Sequence, residues 1–351
     1  TIAEFRSAPQ LLEKVENGEL PPLKERLPEE PLVVKPADKI GQYGGTLKTG
    51  ATSPLWGGGD DWQIRAQFLV RLTSNLRTVV PNIAKKWEFS NDNKTVTFYL
   101  RKGMKWSDGH PFTTEDVKFW YEDVLLNKDL TPSIPSTLKV AGEPVKVNII
   151  DDYTFSMSFA KSYLPIINLI ALGVVEPYYP KHYLKQYHKT YNPDVVKMAE
   201  EEGYESWMDV FDRHNISNFG QQQRDPKCPT LYPWMLEEVD KTSNRYYVRN
   251  PYYFKVDTEG NQLPYIDEQQ RLLVEDSEVF GLKAIAGDYT AAGQWLKLSD
   301  FPLYKREESK GGYRVELFEG CGNQAYISFN YSYQEDDVLK EIFNDVRFRK
   351  A

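Results

Sequence analysis

Apolar and polar side chains alternate over Thr95-Val96-Thr97-Phe98-Tyr99-Leu100, a period of two that predicts a half-buried strand. Lys86-Trp87-Glu88-Phe89 predicts its partner, joined to it by the polar turn Asn91-Asp92-Asn93-Lys94. Turns follow at Lys102-Gly103 and Ser107-Asp108-Gly109. Thr113 stands three residues before Asp116, the spacing of a capping box. Behind it Val117, Trp120, Tyr121, Val124 and Leu125 fall on one face of a helix. A second strand pair is predicted at 145–150 and 154–159, turning at Asp151-Asp152-Tyr153.

The flanking regions are less regular. Residues 1–40 carry Pro9, Pro21, Pro22, Pro28, Pro31 and Pro36. A short helix around Leu11, Leu12 and Val15 and an extended linker wrapping a body are expected there. The body opens with a turn at Gly41-Gln42-Tyr43-Gly44-Gly45 and a strand from Thr46 to Thr49. A loop carrying Trp56, Gly57-Gly58-Gly59 and Trp62 leads into a predicted helix over 64–72. Downstream, a charged helix is expected over 193–202, strand-like alternation over 245–248, 250–254 and 271–274, and a helix over 277–286. Strands are expected at 314–318 and 325–329. Interspersed strands and helices without an internal repeat point to an α/β or α+β body.

A length of 351 residues suits two to three domains. The net charge of −8, without Lys/Arg stripes, argues against a nucleic-acid partner. Aromatic side chains make up 14% of the chain, including 23 Tyr and 8 Trp, and these offer flat faces to sugar rings and peptide planes. Cys228 and Cys321 are far apart and form no CxxC pair, which excludes a zinc or redox motif. Two buried, reduced thiols are expected, with a disulfide between them as the alternative. The longest apolar run, 164–172, is too short to span a membrane. No signal peptide is visible, as in a mature exported chain and equally in a cytosolic one.

Catalytic and metal-binding patterns are missing. His110, His182, His188 and His214 are scattered, and no GxSxG, HExxH or GxxxxGK[ST] occurs. The triple glycine runs into Asp60 and Asp61, the wrong charge for cradling phosphate. Asp257-Thr258-Glu259-Gly260-Asn261 mimics a calcium loop but reads as a turn between aromatic segments. Adjacent carboxylates at 60/61, 151/152 and 336/337 point apart on extended chain and read as solvated turns. No cofactor and no metal is expected.

The stretch from Pro81-Asn82-Ile83-Ala84 through Trp106-Ser107-Asp108-Gly109-His110-Pro111-Phe112-Thr113-Thr114-Glu115-Asp116-Val117 resembles the signature of the family 5 solute-binding proteins. These are the oligopeptide, dipeptide and nickel-type receptors of ABC importers. Tyr43-Gly44-Gly45-Thr46-Leu47 resembles the family's opening strand, and Asn250-Pro251-Tyr252-Tyr253 another of its segments. Asn344-Asp345-Val346-Arg347-Phe348-Arg349-Lys350-Ala351 is similar to the start of a second-lobe helix. The resemblance implies an α/β fold, a periplasmic-binding-protein-like type II lobe with an inserted α+β subdomain and a truncated second lobe. Its divisions would be 1–40 as N-terminal extension, 41–72 with 176–296 as first lobe, 73–175 as insert, and 297–351 as hinge and second-lobe start. Apolar surface around Ile327, Phe329, Ile342 and Phe343 would then lie uncovered, with self-association, trimming or disorder over 320–351.

The function implied is capture of an oligopeptide or oligosaccharide between hinged lobes, peptide ahead of sugar, and its delivery to an ABC permease. The chain would act outside the cytoplasm, in the periplasm or as a cell-surface lipoprotein, and would not be an enzyme. Rival readings are a carbohydrate hydrolase and a sensor- or chemoreceptor-linked binding protein on the same fold. Ligand contacts implied by the resemblance are Ser53, Trp56, Gly58, Asp60 and Trp62 after the first strand, Tyr289, Gln294 and Trp295 after Gly287-Asp288, and Tyr326 and Ser328 in the second lobe. Where relatives place polar side chains after that Gly-Asp, this sequence has Ala291, Ala292 and Gly293.

Overall fold

The structure, a computed structural model, describes residues 4–54, 64–215, 224–317 and 329–350. It divides into a large unit, Thr1–Tyr313, and a small one, Arg314–Ala351. The strands in chain order are β1 (Leu32–Val34), β2 (Thr46–Ala51), β3 (Val70–Leu72), β4 (Val79–Pro81), β5 (Ala84–Phe89), β6 (Thr95–Leu100), β7 (Lys139–Val140), β8 (Glu143–Pro144), β9 (Lys146–Asp151), β10 (Thr154–Ser158), β11 (Trp234–Val239), β12 (Arg245–Arg249), β13 (Lys255–Asp257) and β14 (Glu268–Leu273). The helices used below are α1 (Leu12–Glu16), α2 (Leu23–Arg26), α3 (Thr114–Phe119), α4 (Ile166–Ala171), α5 (Lys181–Leu184), α6 (Val195–Glu202), α7 (Trp207–His214), α8 (Ser277–Ala286), α9 (Phe301–Gly311), α10 (Asp337–Asn344) and α11 (Val346–Lys350).

One antiparallel sheet has the order β5-β6-β10-β9. Its inward row on β6 is Val96, Phe98 and Leu100, as the alternation predicts, and Phe98 stacks on Phe155 at 5.3 Å. The predicted capping box is formed: Thr113 Oγ1 accepts from Glu115 N and Asp116 Oδ2 accepts from Thr113 N at 3.1 Å. Asp116 Oδ2 also accepts from the Trp106 indole at 3.1 Å. Burial pushes the Asp116 carboxyl up to about 6 against these hydrogen bonds. The helix then widens at Trp120–Leu125 into a π-turn, which turns Trp120, Val124 and Leu125 inward. Trp106, Phe112, Phe119 and Trp120 belong to one buried core that runs on to Val210, Phe211 and Phe254, with Trp87 half-buried at its edge.

The second sheet has the order β11-β12-β14-β2, with β14 and β2 parallel. Helix α6 ends at Gly203, and α8 at Gly287; both glycines have positive φ, the left-handed conformation usual after a helix. At Gly287 a Cβ would also fall 2.0 Å from the Gly311 carbonyl oxygen, so α8 and α9 require glycine there.

Three sequence expectations fail. Over 64–72 only Ile64 and Arg65 are helical among the described residues, and Val70–Leu72 is strand β3, paired antiparallel with β4. An apolar run this short fits a buried strand as well as a helix, and the hairpin decides it. Residues 250–254 form a turn, in which Asn250 Oδ1 accepts from Tyr252 N at 2.9 Å. Residues 314–317 form no strand, and 318 and 325–328 lie outside the described residues.

The N-terminal segment wraps the body and is fixed to it. Strand β1 runs parallel to β13, and Arg6 bridges to Asn261. Arg26 on α2 is fully buried. It donates to Pro21 O at 3.0 Å, Pro251 O at 2.5 Å, Gln262 Oε1 at 3.2 Å and Ser7 Oγ at 2.8 Å. The 257–261 loop is a turn, with Asp257 accepting from the backbone of Glu259 and Asn261 and with Gly260 at positive φ.

Cys228 is buried, and Cys321 lies outside the described residues. No helix among the described residues is long and apolar enough to cross a membrane. In the small unit α10 is capped by Asp336, and Phe329 packs against Phe343 and Phe348 at 5.5 and 5.4 Å. Phe329, Ile342 and Phe343 are half-buried, while Val338, Val346 and Phe348 are exposed; Ile327 lies outside the described residues.

Candidate ligand-binding site

The parallel pair β2–β14 points its carboxyl ends at one place, where the chain leaves β2 at Ala51 and β14 at Leu273. In sheets with parallel strands such an end is where a crevice for ligand forms. Two arginines from adjacent strands, Arg245 on β12 and Arg271 on β14, stand opposite each other in register. Both are buried, and both hold the chain that leaves β2: Arg271 Nη2 donates to Ser53 O at 2.5 Å and Arg245 Nη2 to Pro54 O at 2.8 Å. Like charges placed opposite on a sheet repel, so the carbonyls they hold are part of what keeps the pair in place.

Beside them lies a buried polar cluster. The Arg65 guanidinium lies over the rings of Tyr247 and Tyr232, 4.9 and 5.4 Å from their centroids. Tyr232 Oη donates to Glu176 Oε1 at 3.1 Å. Burial pushes the Glu176 carboxyl up to about 7, while the Tyr232 hydrogen bond and the Arg65 charge draw it down.

The 289–291 segment laces onto the open edge of β2. Thr290 N donates to Lys48 O at 2.8 Å, and Lys48 N to Thr290 Oγ1 at 3.1 Å. This brings Tyr289 over Gly50, where its ring stacks on Phe280 at 4.8 Å. A Cβ at Gly50 would lie 2.6 Å from Tyr289 Cζ and 2.8 Å from Phe280 Cε2, so glycine is what lets the ring reach the strand. Gly50→Ala is expected to cost about 1–3 kcal/mol by overpacking and to loosen Tyr289, read by urea unfolding and near-ultraviolet circular dichroism. Unchanged values in both would remove the close approach from the account.

Trp295 packs half-buried against the same apolar cluster as Phe280 and Tyr289. Two buried polar atoms there, Tyr289 Oη and Trp295 Nε1, have no hydrogen-bond partner among the described residues. A buried donor left unpaired costs roughly 1–3 kcal/mol, which makes both atoms suited to an incoming acceptor. Burial pushes the Tyr289 hydroxyl up to about 12, so it stays a donor at neutral pH.

Of the residues expected at a site, the structure places Ser53 and Tyr289 at the end of β2 and Trp295 in the Tyr289 cluster, with Gln294 exposed next to it. Trp56, Gly58, Asp60, Trp62, Tyr326 and Ser328 lie outside the described residues. Sequence reasoning missed Arg65, Glu176, Arg245 and Arg271. The available signal was arginine at inward positions of alternating strands, as in Arg245-Tyr246-Tyr247 and Gln269-Gln270-Arg271. Among the described residues no group of three or more His, Cys, Asp or Glu could hold a metal ion.

Fold and site therefore define a mixed α/β protein in which the parallel strands β2 and β14 end beside buried arginine and aromatic side chains. The chain belongs to the bacterial extracellular solute-binding proteins, family 5, whose middle-region model matches residues 78–351. It is 31% identical over 289 residues to the periplasmic alpha-galactoside-binding protein of Rhizobium meliloti (strain 1021), covering 76% of this chain and 39% of the relative. Among solved structures it is similar to an oligopeptide-binding protein OppA, at 36% identity and a TM-score of 0.80, over 100% of this chain and 55% of that one. It is also similar to the periplasmic binding protein MelB of Agrobacterium fabrum C58 in complex with stachyose, at 29% identity and a TM-score of 0.71, over 88% of this chain and 46% of that one. The fold is the type II periplasmic-binding-protein fold. The chain spans about half the length, or less, of these relatives.

Proposed function

We propose that this chain takes part in ligand capture as the substrate-binding component of an ABC importer, outside the cytoplasm, and that it catalyses no reaction. The ligand is an oligopeptide or an oligosaccharide, and the partner that receives it is the membrane permease. Supporting this are the family membership and relatives whose names give alpha-galactoside and oligopeptide binding and a stachyose complex. The proposed division is a first lobe of 41–72 with 176–296, an insert of 73–175, an N-terminal extension of 1–40, and a hinge with second-lobe start over 297–351. In this reading Ser53, Trp56, Gly58, Asp60, Trp62, Tyr289, Gln294, Trp295, Tyr326 and Ser328 face the ligand. Closure of hinged lobes would exclude water and strengthen each hydrogen bond made inside.

The observation that carries the reading is the pair of buried donors, Tyr289 Oη and Trp295 Nε1, without partners among the described residues. Both ligand classes are rich in acceptors, carbonyls in one and hydroxyls in the other. Tyr289→Phe and Trp295→Phe each remove a donor and keep an aromatic ring. Titration with stachyose and with a pentapeptide, followed by tryptophan fluorescence and calorimetry, is expected to show binding of one of them. Each substitution should weaken that binding by about 5- to 30-fold, the value of one or two kcal/mol. If the ligand binds with wild-type affinity in both variants while their thermal stability rises, the two atoms belong to the core and the site lies elsewhere.

A further inference from the structure

Strand β2 ends at Ala51, whose carbonyl accepts from Val274 N at 2.8 Å. In register Arg271 of β14 stands beside Thr49 of β2 and opposite Arg245 of β12. Were β2 to run on straight, Ser53 would lie about 13 Å beyond Thr49, out of reach of either arginine. Arg271 Nη2 nevertheless donates to Ser53 O at 2.5 Å, and Arg245 Nη2, one strand farther from β2, to Pro54 O at 2.8 Å. The chain therefore doubles back after Ala51, and its next carbonyls meet first the β14 arginine and then the β12 arginine.

Stability alone does not call for this arrangement. Ser53 is half-buried and Pro54 exposed, so water could serve carbonyls at such positions. The guanidiniums are instead taken out of water, with Arg271 at 0% exposure and Arg245 at 3%. Burial of each charge is unfavourable, and like charges opposite on neighbouring strands repel. Neutral donors would make similar hydrogen bonds without either penalty. What a guanidinium adds is reach, a planar fork of fixed geometry and a charge-assisted bond that keeps its acceptor in one place. Proteins keep such locally unfavourable arrangements chiefly at functional sites.

We propose that Arg245 and Arg271 are positioning residues for ligand capture: they touch no ligand, and they fix the folded-back chain so that Ser53 meets it. The proposal rests on the capture reading above, in which Ser53 faces the ligand.

Arg245→Met and Arg271→Met each remove one charge and keep much of the side-chain volume. The full chain and its variants are titrated with stachyose and with penta-alanine, and each is unfolded in urea. For the probe that the wild-type chain binds, each methionine variant is expected to bind at least tenfold more weakly. Its urea midpoint should be unchanged or raised, because a buried like-charge pair has been relieved. Arg245→Lys and Arg271→Lys keep the charge and a donor and should recover part of the affinity. Ser53→Ala should weaken binding on its own. Combined with Arg271→Met, the loss should fall short of the product of the two single losses, since the arginine acts through that residue. Wild-type affinity in both methionine variants overturns the proposal and leaves the capture reading standing. So does a loss of affinity that follows a fall in the urea midpoint, or one that multiplies in full with the Ser53→Ala loss, because the arginines then serve the fold alone. Binding of neither probe by the wild-type chain overturns the capture reading, and this proposal with it.

Discussion

Glu176→Gln is expected to raise the stability of the protein by up to about 3 kcal/mol near pH 8 and to leave it almost unchanged near pH 4.5. The Glu176 carboxyl is buried beneath Tyr232 and beside Arg65, and its pKa is raised from 4.5 to about 7, chiefly by burial. An acid whose pKa is higher in the folded chain binds its proton more tightly there than in the unfolded one. Stability therefore grows as pH falls from about 7 toward 4.5 and is lost again as pH rises back through 7. Glutamine mimics the protonated acid and accepts the Tyr232 hydrogen bond, so the variant lacks that dependence. Asp116, raised to about 6, slopes the same way, and Lys255, whose burial holds it well below its ordinary value, slopes the opposite way. Both are present in the two proteins and cancel in the difference. Urea unfolding of each at several pH values reads the effect directly. Parallel stability curves would show that Glu176 is ionised and satisfied in the fold.

Arg26→Ala should cost about 3–5 kcal/mol, the range for removing one partner from a buried charged hydrogen-bond set. The guanidinium reaches acceptors on Ser7, Pro21, Pro251 and Gln262, stretches of chain that touch the body on both sides of α2. With alanine the Pro251 carbonyl and the Gln262 amide oxygen lose a donor inside the protein. Lysine at this position could serve one or two of those acceptors, so Arg26→Lys is expected to recover only part of the loss. Limited proteolysis provides the local readout: cleavage within residues 4–40 should speed up before the rest of the chain unfolds. Cleavage and unfolding rates equal to wild type would reduce Arg26 to packing.

Much of the fold was legible because its signals are local. The alternation over Thr95–Leu100, the Thr113–Asp116 spacing and the glycine after α8 each depend on residues within a few positions of one another. The same local reading went wrong at 64–72, where a short apolar run is helical or extended according to what lies next to it. The presence of β4 nearby in space settled it as strand.

The candidate site divides along the same line. Sequence pattern and resemblance named Ser53, Tyr289 and Trp295 as neighbours of a crevice. Only the tertiary structure shows that Tyr289 reaches its place because residue 50 has no Cβ, and that its hydroxyl and the Trp295 indole are left without partners among the described residues. The buried charges were invisible for a related reason. Arg26, Arg245, Arg271 and Glu176 look like surface residues in a sequence, since charge is ordinarily kept in water. Their burial is possible only because acceptors and donors from chain segments as far apart as Ser53 and Arg271, or Arg26 and Pro251, converge on them. Periodicity thus determined which faces of the strands and helices are apolar. Long-range convergence decided where charge could be buried, and with it the chemistry at the ends of β2 and β14.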